Sequence, residues 1–399
     1  MGLPPVIRRQ SIYLKGRQIM STDKKVSVLL VGVGGFGGQY IDLILKYSDR
    51  VRLVGGIETN DVPQETVDKL KEHKTRFYKS MEDFYAENSA DLCIISTPIH
   101  LHKEHTLCAL RHGSNVLCEK PAAGCVHDVE EMIEVQGEKF VAVGFQHCFA
   151  DNLLRLKKDI LDGVWGRPKL FKTLTFFPRA KKYFSARNWS GKIKSPDGRM
   201  INDSIVNNAC AHTLEALLFM LGETLDSAAF PKSAEVQLYN ANNLETFDTA
   251  ALWMETDADT PILYFASHTT KEKHGREMEF MFENGVVRYS EDEAILKGTF
   301  NNGEVIDYGW SVSNEEKFLK CVMAAAGEKE LVTCNLKTAL PHALAVQMVM
   351  EHLDETYVFD ENETETYLRN ESPYVYVPKM YETLLCAYKE NKLPDKASR

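Results

Sequence analysis

From Lys24 onward, short apolar runs alternate with longer amphipathic stretches, the pattern of a parallel sheet whose strands are joined by crossover helices. Val26 to Val31 (VSVLLV) is apolar at nearly every position, as a strand buried on both faces requires. The pattern then predicts a helix over Phe36 to Lys46, a strand over Val51 to Ile57, a weak strand over Arg76 to Tyr78 and a helix around Met81 to Glu87. Asp91 to Ser96, His102 to His112, Ser114 to Cys118 and Phe140 to Gly144 follow as strand, helix, strand and strand. Six strands with helices between them make a doubly wound sheet of the dinucleotide-binding kind.

After Phe149 the rhythm changes. A helix over Leu153 to Leu161 and a strand over Lys169 to Phe177 lead into a basic loop, Arg179 to Lys194, and then a long helix ending at Leu221-Gly222. Strands without intervening helices follow: Ala234 to Tyr239, Thr249 to Glu255, Pro261 to His268, Met278 to Glu283, Gly285 to Tyr289 and Glu304 to Tyr308. Such a run predicts a mostly antiparallel sheet in a second, α+β domain. Helical patterns return at Glu315 to Ala326, Thr338 to Leu353 and Pro378 to Tyr388, with the acidic, turn-rich DENETET between the last two.

Composition narrows the classes. The 399 residues include 57 acidic and 47 basic side chains, a formal charge of -10 that speaks against a nucleic-acid scaffold. Apolar content of 44% suits a globular chain with two cores, and no apolar run reaches the roughly 18 residues of a membrane span. Nine scattered cysteines, odd in number and without a Cys-x-x-Cys pair, fit reduced thiols and a cytoplasmic protein. Met1 to Met20 carries Arg8, Arg9, Lys15 and Arg17 and no acid, reading as a transit-type leader or a start placed upstream of a natural one at Met20. Residues 1–23 are therefore set apart and expected to be disordered.

Gly32-Val33-Gly34-Gly35-Phe36-Gly37 follows a strand and opens a helix. Gly32 permits the tight turn, Gly34 lets backbone N–H groups approach a pyrophosphate, and Gly37 allows close helix-to-strand packing, with Gly35 and Phe36 completing the loop. Glu58 ends the next strand, where a carboxylate accepts hydrogen bonds from ribose hydroxyls and repels a 2'-phosphate, favouring NAD over NADP. Thr97-Pro98-Ile99-His100-Leu101-His102 and Cys118-Glu119-Lys120-Pro121 end two further strands, and Gly144-Phe145-Gln146 ends the sixth. In an open parallel sheet these ends face the ligand crevice, so Thr97, Pro98, His102, Glu119, Lys120 and Gln146 join the candidate cofactor set. His100, His102, Glu104 and His105 lack the spacing or partners of a zinc site, and no metal is expected.

GVGGFG, the TPxxxH of Thr97 to His102, the EKP of Glu119 to Pro121 and a later histidine-bearing helix together resemble the glucose-fructose oxidoreductase, inositol dehydrogenase and rhizopine-catabolism (Gfo/Idh/MocA) family over Lys24 to Leu353. The resemblance implies an N-terminal Rossmann domain binding NAD(P) and a C-terminal domain with an open sheet. It also implies oxidation of a sugar or cyclitol hydroxyl, and a homodimer or homotetramer formed through the exposed face of that sheet. The family's catalytic helix reads Asp-x-Gly-x-His-x-x-Asp; here Asn208 stands for the first aspartate, His212 is kept and Glu215 ends the motif. Positions four apart on a helix share a face, so Asn208 and His212 are expected to point the same way. His212 is the candidate base, Lys120 the cation that stabilises alkoxide charge and passes a proton, and Asn208 the orienting group. The family's usual arginine after Gln146 is replaced by Cys148.

Arg179, Arg187, Trp189, Asn207 and Asn208 concentrate guanidinium, indole and amide groups suited to polyols, and with Lys120 and His212 they form the candidate substrate set. The expected domains are 24–149 for nucleotide binding, 150–360 for substrate and oligomerisation, and 361–399 as an acidic loop and helix. The leading expectation is an NAD-dependent dehydrogenase acting on a carbohydrate or cyclitol, without nucleic-acid or membrane partners. Two alternatives use the same residues differently: glycoside cleavage or epimerisation through transient oxidation at C3, and a non-catalytic NAD or sugar sensor.

Overall fold

Two sheets organise the computed structural model, which describes residues 25–71, 75–328 and 331–395 and the backbone of Val6–Arg8. The chain divides into one unit of Ile12–Ala150 with Val312–Leu340, and another of Met1–Ser11, Asp151–Ser311 and Pro341–Arg399. Each is discontinuous, where the sequence pattern suggested consecutive segments. Most of the expected leader lies outside the described residues. Val6–Arg8, expected to be disordered, is instead a strand parallel to Val305–Asp307, pairing with the backbone groups that an edge strand leaves open.

The first unit holds six parallel strands in the order Phe77–Tyr78, Val51–Ile57, Val26–Val31, Leu92–Ile95, Asn115–Cys118 and Val141–Val143. Leu29, Leu30, Ile94, Val116 and Leu117 are wholly buried because helices cover both faces. The order reverses between Val26–Val31 and Leu92–Ile95, which opens a crevice at the carboxyl ends of the strands. Helices Gln64–Leu70 and Val126–Val135, which the apolar pattern did not single out, complete the crossovers. Helix Asn314–Ala325, capped by the Ser313 side chain, belongs to this unit although some 160 residues separate it from Ala150.

The second unit is a ten-stranded mixed sheet. Its order is Val6–Arg8, Val305–Asp307, Ile295–Phe300, Gly285–Ser290, His274–Phe282, Pro168–Phe176, Ile262–Ser267, Thr249–Thr256, Pro231–Asn240 and Tyr357–Val358. Three pairs are parallel and the rest antiparallel, as expected of a mostly antiparallel sheet. On one face, Tyr264 reaches the Cys210 carbonyl beside helix Ala211–Met220. On the other, Leu170, Leu174, Leu263 and Phe265 pack with Met380, Leu384 and Tyr388 of helix Met380–Glu390. The chain's own terminal helix thus covers the centre of this face.

Candidate active site

The glycine turn is shaped by what cannot fit. Gly32 has φ +83°, and a Cβ there would lie 2.7 Å from the Ser96 carbonyl oxygen; a Cβ on Gly37 would lie 2.0 Å from the Gly32 oxygen. Both positions require glycine, one for the turn and one for seating the helix on the strand. Gly35 has φ +56° with open space before it, and Phe36 offers no capping oxygen to helix Gly37–Lys46. Bare backbone and a helix N-terminus thus meet in one loop, the environment a pyrophosphate needs. Glu58 completes the set: its carboxylate accepts from the Gly34 N–H at 3.4 Å and the Asn60 N–H at 3.1 Å. These residues fit NAD: Gly34, Gly35 and Phe36 would hold the phosphates and Glu58 the ribose.

Two of the expected cofactor residues are committed elsewhere. His102 is buried, with one ring nitrogen 2.8 Å from the Pro121 carbonyl and the other 2.9 Å from that of Thr97. Both nitrogens face backbone carbonyls rather than a ligand; burial, the largest influence, lowers its pKa, and a neutral ring donates its single N–H to one of the two. Glu119 accepts from Tyr40 Oη and Lys317 Nζ, each at 2.5 Å. Burial alone would raise its pKa, but Lys317 outweighs that and holds the carboxylate ionised. Glu119 therefore anchors the returning helix Asn314–Ala325 and steadies the loop on which the half-buried Lys120 stands. Thr97 and Pro98 line the same strand end, and Thr97 Oγ1 lies 3.1 Å from His105 Nδ1. Gln146 opens a short 3-10 turn, while Cys148 behind it is wholly buried.

In the second unit the expected long helix is interrupted. Ile205–Ala209 forms a π-helical turn, closed by Cys210 N–H to Ile205 O, and the α-helix begins only at Ala211. The uninterrupted four-residue spacing expected between Asn208 and His212 is therefore corrected, because the wider turn lies between them. His212 is 9% exposed in the first turn of the helix. Asn208 donates its amide to Asp203 Oδ1 at 2.7 Å, and the other carboxylate oxygen accepts from Gly191 N–H at 2.6 Å. The negative charge missing at position 208 is thus supplied five residues earlier.

Asn207, expected at the substrate, turns inward and donates to the Ile201 and Asn202 carbonyls. Its buried amide holds the loop and is spent there. Arg187 is exposed with its guanidinium 5.1 Å from the Trp189 ring centre, and Arg179 stacks 4.6 Å from the Tyr183 ring centre. Tyr183, Phe184, Asp203, Asn208, Phe247 and His268 line a small recess that opens to solvent. His268 Nδ1 donates to the Phe177 carbonyl at 2.7 Å. Burial, reinforced by Arg179, lowers its pKa to about 3, so a neutral ring faces the recess. Sequence reasoning assigned no role to His268, Tyr183, Asp203 or Lys317. The available signal for His268 was its place at the carboxyl end of a strand, and the other three become informative only through their partners.

Residues 26–147 match the family model described as "Oxidoreductase family, NAD-binding Rossmann fold". That segment carries the NAD-binding Rossmann domain of the Gfo/Idh/MocA type of oxidoreductase. The chain is 31% identical over 146 residues to a 2,7-anhydro-N-acetylneuraminate hydratase of Mediterraneibacter gnavus, covering 36% of this chain and 38% of the relative. It is 26% identical over 212 residues to an inositol 2-dehydrogenase of Burkholderia vietnamiensis, covering 51% and 57%. The similarity thus spans between about two-fifths and three-fifths of those proteins' length. The WlbA dehydrogenase of Bordetella pertussis, crystallised with NADH and UDP-GlcNAcA, has a TM-score of 0.67 at 20% identity, covering 83% of this chain and 97% of that one. At that identity the likeness is one of fold. No helix among the described residues is long and apolar enough to cross a membrane.

Proposed function

We propose that this protein transfers a hydride between NAD and the carbon of a secondary hydroxyl on a sugar, sugar derivative or cyclitol. The observation that carries the reading is the recess beside the turn into His212, whose Asp203, Asn208, Tyr183 and His268 are hydroxyl-reading groups in a chain with an NAD-binding family fold. When bound, NAD supplies the hydride acceptor. We assign His212 the proton of the reacting hydroxyl and the Lys120 ammonium the stabilisation of negative charge as it develops. Asn208, held by Asp203, orients the base. Glu58 selects NAD over NADP by repelling a 2'-phosphate.

The relative named for inositol supports a cyclitol or sugar. The relative named as a hydratase favours a second reading, in which the same oxidation is transient and the product forms without net redox. Purified protein supplied with NAD and a panel of inositols, hexoses, sugar acids and glycosides separates the two, through absorbance at 340 nm and mass spectrometry of the sugars. Reduced cofactor accumulating supports the dehydrogenase; a converted sugar without it supports the transient route. Lys120→Ala and His212→Ala should each lower turnover about 1,000-fold while NAD affinity stays within about threefold. Full turnover in either variant overturns these roles.

A further inference from the structure

The charge in the loop before the recess is one-sided. Between Phe176 and Asp197 there are six cations, Arg179, Lys181, Lys182, Arg187, Lys192 and Lys194, and no acid, in a chain whose net charge is -10. Lys192 pairs with Glu245. Among the described residues, Arg179, Lys181, Lys182 and Arg187 form no ion pair with any carboxylate. An unpaired cation on an open surface is ordinary; Arg179 is different, because its Nε is buried and lacks a hydrogen-bond partner among the described residues. An N–H taken out of water without an acceptor is costly.

Arg179 stands against two walls of the recess. It lies over the Tyr183 ring and close enough to His268 to depress that ring's pKa. Burial, followed by Asp203, raises the Tyr183 pKa, whereas Arg179 and Arg187 both act to lower it; Arg187 lies over the Trp189 ring, 5.1 Å from its centre. The Asp203 carboxylate, which acts on the Tyr183 phenol, accepts from the Asn208 amide and the Gly191 N–H. Tyr183 and the neutral His268 therefore stand beside two guanidiniums that form no ion pair among the described residues.

We propose that the substrate carries an anionic group, a carboxylate or a phosphate, which Arg179 and Arg187 receive beside the recess. The proposal rests on the carbohydrate reading above and narrows it from neutral polyols to sugar acids or sugar phosphates. A fork-shaped guanidinium matches either anion through two parallel N–H bonds, and the Tyr183 hydroxyl adds a donor. Because the anionic group is remote from the reacting carbon, its contacts contribute binding shared by ground and transition states, and their loss raises KM more than it lowers kcat.

The test is calorimetry on the NAD-loaded chain with matched series of hexoses, hexuronates and hexose phosphates, repeated with Arg179→Gln, Arg187→Gln and Arg179→Lys. One anionic series should bind at least tenfold tighter than its neutral counterpart, and which series does so identifies the group. Arg179→Gln should weaken that series about 30-fold, Arg187→Gln about tenfold, and Arg179→Lys less than Arg179→Gln, with neutral hexoses unchanged. Arg187 is exposed, so its variant keeps the fold even if Arg179→Gln disturbs it. Equal binding of neutral and anionic sugars, no binding by either anionic series, or anion binding indifferent to both arginines overturns the proposal. Absorbance at 340 nm reads the chemistry separately. Arginine-dependent binding without turnover keeps the anion site and defeats the dehydrogenase reading, whereas turnover of a neutral polyol with KM unchanged in both variants does the reverse.

Discussion

In the first unit, the groups set out for a ligand are mainly backbone: amides around Gly34 and Gly35, presented by a turn whose neighbours exclude any side chain at Gly32 and Gly37. In the second they are side chains, held by one another through Asp203 to Asn208, Tyr183 to Arg179 and His268 to the Phe177 carbonyl. Backbone of this kind serves any dinucleotide, since every nucleotide brings the same pyrophosphate. Side chains specify one molecule and change with it. The contrast implies that the cradle fails when a methyl group is added and the recess fails when a charge is moved.

The largest effect should come from the cradle. Gly37→Ala places a methyl group into the Gly32 carbonyl, and NAD affinity measured by calorimetry should fall at least about 100-fold; retained affinity would show that the turn yields. In the recess, Asn208→Asp sets two carboxylates where an amide donated at 2.7 Å, and kcat/KM should fall about 100-fold. Exchanging the pair as Asp203→Asn with Asn208→Asp restores one donor and one acceptor, so activity should return to within about tenfold of the starting protein. A double variant no better than the single would mean that Asp203 acts otherwise than by holding Asn208.

A smaller effect follows from His268. The folded ring titrates near pH 3 against an ordinary value of about 6.5, so below pH 6.5 the unfolded chain binds a proton that the folded chain refuses. Its contribution to stability is complete above that pH and is lost as pH falls toward 3, at about 1.4 kcal/mol per unit. Urea unfolding at pH 7, 6, 5 and 4.5 should show this slope in the native sequence and less of it in His268→Asn; parallel slopes would place His268 in a solvated setting. The smallest change is expected at Glu58, where serine should shift preference toward NADP about tenfold and leave the phosphate cradle intact. Loss of binding to both dinucleotides would make the carboxylate part of the cradle itself.

The same contrast explains what could be read in advance. VSVLLV and the glycines of Gly32 to Gly37 impose local constraints, so their strand, turn and helix were legible, and the resemblance placed Lys120 and His212 on their elements. Strand Ile295–Phe300 was not, because Gly298 inside it reads as a breaker; its missing side chain makes room for Trp165, which stacks on Phe300 with ring centres 4.2 Å apart. Glu365–Arg369 and Ser372–Tyr376 form a small two-stranded ribbon, where DENETET leads in with polar residues and gives little alternation to detect. The break before Ala211 is invisible in an apolar run that suits an unbroken helix. Asn207 and His102 were the right residue types for ligands, yet backbone carbonyls brought near by the fold claim them.

The salt bridge between Glu119 and Lys317 has a consequence in time. On a ribosome the six-stranded sheet is synthesised completely before the ten-stranded one is half made, yet the cation that neutralises Glu119 is about 200 residues behind it. The nascent nucleotide-binding unit must wait with an acid whose burial has no counter-ion, keeping that loop solvated or protonated until Asn314–Ala325 emerges. A fragment ending at Ala150 would be fixed in that waiting state, so this unit is not a contiguous cassette that can be cut out or grafted by its first 150 residues alone.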